Sequence, residues 1–135
     1  MKQKLIIPLV LILLGAGWFV WQNAQPASTG QQISATSPSE FAKLIQKPEV
    51  FVLDVHIPEQ QHLAGTDAFI PYNELEENLA QLPADKNTPI AIYCRSGSMS
   101  REASQTLAEL GYTQIYDLLG GINAYQAAFG EVSNK

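Results

Sequence analysis

At 135 residues and a formal net charge of −5, from eight Lys and Arg against thirteen Asp and Glu, the chain has room for one domain and carries no basic stripe that would track a phosphate backbone. Nucleic acid is therefore excluded as an expected partner. The lone cysteine excludes an internal disulfide, so the fold must hold by its core, and any disulfide formed is with another molecule.

Lys2 and Lys4 precede an uncharged apolar run, Leu5–Trp21. That pattern predicts a signal peptide or a signal-anchor helix over 1–21, and either one exports the rest of the chain. Its length is at the lower limit for crossing a bilayer, and Trp18 and Trp21 suit an interface. The expectation is a retained anchor, with the membrane as a partner through this segment and an extracytoplasmic location, periplasmic or on the cell surface. Cleavage after the Gln22-Asn23-Ala24 stretch is the competing reading.

Residues 22–36 are Gln, Asn, Ala, Pro, Ser, Thr and Gly with an isolated Ile33, a composition that reads as a flexible linker. A single domain is expected over 37–130, with a short tail at 131–135. Ser37-Pro38-Ser39-Glu40 places an N-cap, a first-turn proline and an acid at the third helical position, opening a short helix that Pro48 ends. Val50–Val55 is apolar and rich in β-branched residues, a strand buried on both faces with Asp54 at its C-terminal end.

After His56, the stretch Ile57–Leu63 predicts one or two helical turns, and Phe69-Ile70-Pro71 a brief extended piece. Tyr72–Leu82, with Leu75, Leu79 and Leu82 on one side and acids on the other, predicts an amphipathic helix. Ile90–Tyr93 is a second buried strand, Ser100–Leu110 a helix stopped by Gly111, Ile115–Leu118 a third strand, and Ile122–Phe129 a last helix after a Gly120-Gly121 turn. Strands alternating with helices predict an α/β fold, a parallel β-sheet with helices on both faces. Sites in such sheets form at the C-terminal ends of strands, where Asp54 and Cys94 fall.

Cys94 stands where the second strand turns toward a helix, among backbone N–H donors and beside the positive end of a helix dipole. That setting favours an accessible, nucleophilic thiolate. The residues Arg95, Ser96, Gly97, Ser98, Met99 and Ser100 are few enough to curl into an anion cradle, with Gly97 free to take positive φ and Ser100 as the expected N-cap. Arg95 and Arg101 supply positive charge nearby, and Asp54 is a supporting residue expected to accept loop amides or pair with an arginine.

Four segments in order, Leu53-Asp54-Val55 with Pro58-Glu59, Ile70-Pro71, Ile92-Tyr93-Cys94-Arg95-Ser96-Gly97 through Ser100, and Leu119-Gly120-Gly121-Ile122 with Ala124-Tyr125, resemble the single-domain rhodanese family of sulfurtransferases. The resemblance covers about Ser37 to Phe129 and implies that Cys94 takes a sulfane sulfur from a small-molecule donor such as thiosulfate. The cradle would hold the persulfide, which passes to a thiol or cyanide acceptor, including a partner protein's thiol. No metal or organic cofactor is implied.

Three departures bear on specificity. Met99 and His56 stand where many members of that family carry Arg, and Gly65-Thr66-Asp67-Ala68-Phe69-Ile70-Pro71 replaces a Gly-His-Ile-Pro-Gly-Ala passage. Two other readings stay open. A cysteine phosphatase or oxyanion reductase needs Cys, five residues, then Arg, but Ser100 holds that place and Arg101 falls one residue late. A non-catalytic binding or scaffold domain would make the thiol incidental.

Overall fold

The computed structural model describes residue 30 and residues 32–130. The elements in chain order are β1 (Gln32–Thr36), α1 (Pro38–Leu44), β2 (Phe51–Asp54), β3 (Ala68–Phe69), a 3-10 turn (Glu76–Gln81), β4 (Ile90–Tyr93), α2 (Ser98–Glu109), β5 (Gln114–Leu118) and α3 (Gly121–Phe129). All strands pair in parallel, in the order β1-β5-β4-β2-β3.

Strand alternation divides the core into two layers. Leu53, Ile90, Ile92 and Ile115 point to one face and pack with Leu75, Leu82, Ala103, Leu107 and Tyr112 beneath α2 and the 3-10 turn. Val52, Ala91, Tyr93 and Leu118 point to the other and pack with Phe41 of α1 and Ile122 of α3. The expected parallel sheet with helices on both faces is therefore present. Tyr93 is fully buried, and its hydroxyl accepts the Leu63 N–H at 3.0 Å and bonds the Thr66 hydroxyl at 2.7 Å, tying the chain after β2 back to β4.

Helix α1 starts as its sequence dictates. The Ser37 hydroxyl accepts the Glu40 N–H, and Glu40 accepts the Ser37 N–H at 3.1 Å, a reciprocal cap with Pro38 in the first turn.

Three expectations change. Residues 32–36 are a paired edge strand, not linker: Gln32 through Thr36 run in register with Gln114 through Leu118, and the Leu119 N–H donates to Thr36 O at 2.9 Å. The polar composition that reads as a tether suits an edge strand, because most of its side chains face water. Ile57–Leu63 forms no helix, because its polar groups bond to Asp54 instead of to a helical ladder. Within Tyr72–Leu82 only Glu76–Gln81 forms a short 3-10 turn, broken at Asn78 (φ −117°), and not an amphipathic α-helix; Leu75 and Leu82 are buried but Leu79 is 47% exposed. The signal or anchor assigned to 1–21 and the tail at 131–135 lie outside the described residues, and among the described residues no helix is long and apolar enough to cross a membrane.

Candidate active site

β4 ends at Tyr93, so Cys94 is the first residue beyond the sheet, and Gly97, with φ +98°, turns the chain into α2. The Gly97 N–H donates to Cys94 Sγ at 3.0 Å. Cys94 Sγ also lies 3.5 Å from Ser100 Oγ, to which the thiol can donate. Gly97, and not Ser100, occupies the N-cap of α2. Ser100 sits fully buried inside the first turn, its hydroxyl 3.4 Å from Gly97 O, because the helix begins two residues earlier than its polar pattern suggests.

The sulfur is not accessible as the sequence led us to expect. Cys94 is 1% exposed: it continues the alternation of Ile90 and Ile92, so its side chain joins their cluster under α2. Arg95, Ser96 and Ser98 are exposed along the rim of the loop. Met99 is half-buried against the same apolar cluster as Cys94, which anchors the loop to the core from the other side.

A second turn holds this loop in place. The Ile122 N–H donates to Cys94 O at 2.9 Å and the Asn123 N–H to Arg95 O at 3.0 Å, so the first amides of α3 take up the loop's carbonyls. A Cβ at Gly121 would stand 2.5 Å from Cys94 O. Composition marks Gly120-Gly121 as a turn; that it buttresses the cysteine loop is visible only once α3 is folded against β4.

Beside the loop, Gln60, Gln61, Arg95, Ile122, Asn123 and Gln126 line a cleft of about 190 Å³. Asp54 organises one wall of it. This carboxylate is fully buried and, instead of receiving loop amides or an arginine, accepts the His56 N–H at 3.0 Å, the Gln60 amide at 3.3 Å and His62 Nδ1 at 2.8 Å. The other nitrogen of His62 lies 2.9 Å from Glu59 Oε1. Burial works against the His62 imidazolium, but the hydrogen bonds to Glu59 and Asp54, with the charges of both carboxylates, outweigh it and raise the pKa of the ring. His56 is turned to its own loop, Nδ1 lying 2.8 Å from Pro58 O.

Arg101 is exposed at the first turns of α2, where its charge acts on Asp117. Asp117 lies in β5, 8% exposed, and its Oδ1 is buried with no hydrogen-bond partner. Burial pushes this carboxyl up, while the Ser100 hydroxyl and Arg101 pull it back. No motif singles out Asp117 in the sequence. An acid inside the otherwise apolar run Ile115–Leu118 was the available signal.

A family model described as Rhodanese-like domain matches residues 37–128. The thiosulfate sulfurtransferase PspE of Escherichia coli (strain K12) is 38% identical over 66 residues, 47% of this chain; the matching region spans 62% of that protein's length. The thiosulfate sulfurtransferase GlpE of Coxiella burnetii (strain RSA 331 / Henzerling II) is 30% identical over 96 residues, 65% of this chain and 82% of that protein. The crystal structure of a rhodanese-related protein from Thermoplasma volcanium superposes with a TM-score of 0.63 at 26% identity, over 76% of this chain and 99% of that one.

Proposed function

Because the chain belongs to the rhodanese-like domain family, we propose that it is a sulfurtransferase in which Cys94 alternates between thiolate and persulfide. The observation that carries this reading is the Gly97 N–H aimed at Cys94 Sγ from 3.0 Å, at the N-terminus of α2. The thiolate attacks the outer sulfur of a sulfane donor such as thiosulfate; a new S–S bond forms, the donor's S–S bond breaks, and its electron pair leaves with sulfite. The persulfide anion is held by the Gly97 N–H, by first-turn amides of α2 that lack intrahelical acceptors, and by the Ser100 hydroxyl. An acceptor thiolate or cyanide then takes the terminal sulfur and returns Cys94 as thiolate.

Arg95, Ser96 and Ser98 at the exposed rim receive the donor, and the cleft beside Arg95 leads the acceptor to the loop. With one cysteine in the chain there is no internal thiol to resolve the persulfide. Discharge therefore falls to a small molecule or to a partner protein's thiol. Lys2, Lys4 and the apolar run Leu5–Trp21 support a domain held at the outer face of a membrane.

The burial of Cys94 favours a second reading, a rhodanese-like binding domain without turnover. Intact mass of the purified full chain after incubation with thiosulfate or polysulfide separates the two. We expect a gain of one sulfur atom that cyanide removes and that Cys94→Ser abolishes. No adduct with any sulfane donor would leave the binding domain.

A further inference from the structure

The cleft beside the cysteine loop has a composition that selects its ligand. Its lining carries carboxamides, one guanidinium and no acid, although the chain as a whole has a net charge of −5. A second cleft, of about 310 Å³ between the 3-10 turn and α2, is lined by Glu76, Glu77 and Glu102 and would repel an anion. Both ion pairs among the described residues are made by His62, so Arg95 stands exposed without a carboxylate partner there.

Gln60 is held in one orientation. Its Nε2 lies 3.3 Å from both oxygens of the buried Asp54 carboxylate, which can only accept, so the nitrogen end must face Asp54. Asp54 is itself fixed by the His56 N–H and by His62. Among the described residues no hydrogen bond reaches Gln60 Oε1, which leaves a preset acceptor at the cleft for a ligand N–H. Ile122, 5% exposed, supplies an apolar floor. The Ile122 and Asn123 amides also hold Cys94 O and Arg95 O, so a ligand seated here rests against the backbone of the cysteine loop. At about 190 Å³ the cleft falls below the roughly 300–1,000 Å³ of sites for drug-sized ligands, room for a residue or two of peptide.

We propose that this cleft is an acceptor subsite for a small peptidic thiol, with Arg95 taking the carboxylate and Gln60 Oε1 accepting the amide N–H. This inference rests on the sulfurtransferase reading and names the class of its acceptor. The acceptor thiolate attacks the outer sulfur of the Cys94 persulfide. A new S–S bond forms, the bond to Cys94 Sγ breaks, and its electron pair stays with Cys94 as thiolate; the acceptor leaves as a persulfide. Donor and acceptor visit in turn, so Arg95 serves both.

The test uses thioethers, which bind without accepting sulfur. S-methyl-N-acetylcysteine, its carboxamide, and 3-(methylthio)propionate, which lacks the amide, are titrated calorimetrically into the full chain. For the native protein, loss of the carboxylate should weaken binding about tenfold, and loss of the amide about fivefold. Arg95→Gln should bind the acid and its carboxamide equally, and Gln60→Met should bind the amide-bearing and amide-free acids equally.

Equal binding of all three ligands to the native chain would overturn the subsite, and those comparisons need no variant to fold. Discrimination that survives in a folded Arg95→Gln or Gln60→Met protein would remove that residue's role and with it the proposal. The expected binding pattern without any persulfide adduct would keep the ligand site and sink the transferase reading. An adduct without discrimination among the thioethers would do the reverse.

Discussion

The α-carbon of Gly121 packs against the carbonyl of Cys94 so closely that a Cβ there would lie 2.5 Å from that oxygen and 2.6 Å from the carbonyl carbon of Arg95. Both contacts are with backbone, so neither can be relieved by turning a side chain.

Gly121→Ala should therefore displace the cysteine loop or unfold α3, destabilising the protein by about 2 kcal/mol or more and abolishing persulfide formation. Gly111→Ala is the matched control. Its φ of +95° imposes a similar backbone strain, but no atom lies within 4 Å of the added methyl, so persulfide formation should survive. Equal loss in both variants would show that strain, and not the contact with Cys94, sets the requirement at 121.

Met99→Arg should shift donor preference. The side chain starts on the core side of the loop, half-buried, and an arginine there would cost about 1 kcal/mol of packing while adding a cation beside the sulfur. Thiosulfate kcat/KM is expected to rise roughly tenfold relative to that for polysulfide. A ratio unchanged from the native protein would show that the apolar edge of the loop does not limit anion binding.

His62 gives stability a defined pH dependence. Its pKa in the folded protein lies above the ordinary value of 6.5, so the stabilisation from Asp54 and Glu59 is fully present below that pH and is lost as pH rises through the folded value. Native and His62→Gln proteins unfolded in urea should differ most at pH 5.5 and least at pH 8.5. The same difference at both pH values would rule out a charged bridge between the two carboxylates.

A chain starting at Ser37 keeps every segment carrying the family resemblance but loses β1. Among the bonds removed are Gln32 N–H to Thr113 O at 3.0 Å and Leu119 N–H to Thr36 O at 2.9 Å, and the edge of β5 is laid open. At about 1 kcal/mol for each bond, the shortened chain should be less stable by about 2 kcal/mol or more than one starting at Gly30, with added aggregation in thermal melts. Equal melting midpoints would return 32–36 to the linker.

Local chemistry was legible at Ser37, where a hydroxyl, a proline and an acid are all the helix start needs. It was legible at Val52 through Tyr93, where short β-branched runs separated by polar stretches specify buried parallel strands. It misled at Tyr72–Leu82, because leucines at helical spacing also suit a 3-10 turn flanked by two buried ones, Leu75 and Leu82, with Leu79 left exposed. It placed Asp54 at a strand end but gave no sign of its partners Gln60 and His62, which come from an irregular loop with no periodic signal.

From the chain alone came the one-domain α/β architecture, a fold without an internal disulfide, and a cysteine at a strand-to-helix junction beside a glycine. All three depend on neighbouring residues and on alternation, which composition and spacing encode directly. Tertiary structure decided that β1 exists, that Gly121 clamps the loop, and that the sulfur is buried. Those outcomes join residues remote in sequence through backbone bonds and van der Waals contact, and they arise only when packing selects one arrangement of the sheet and its two helical layers.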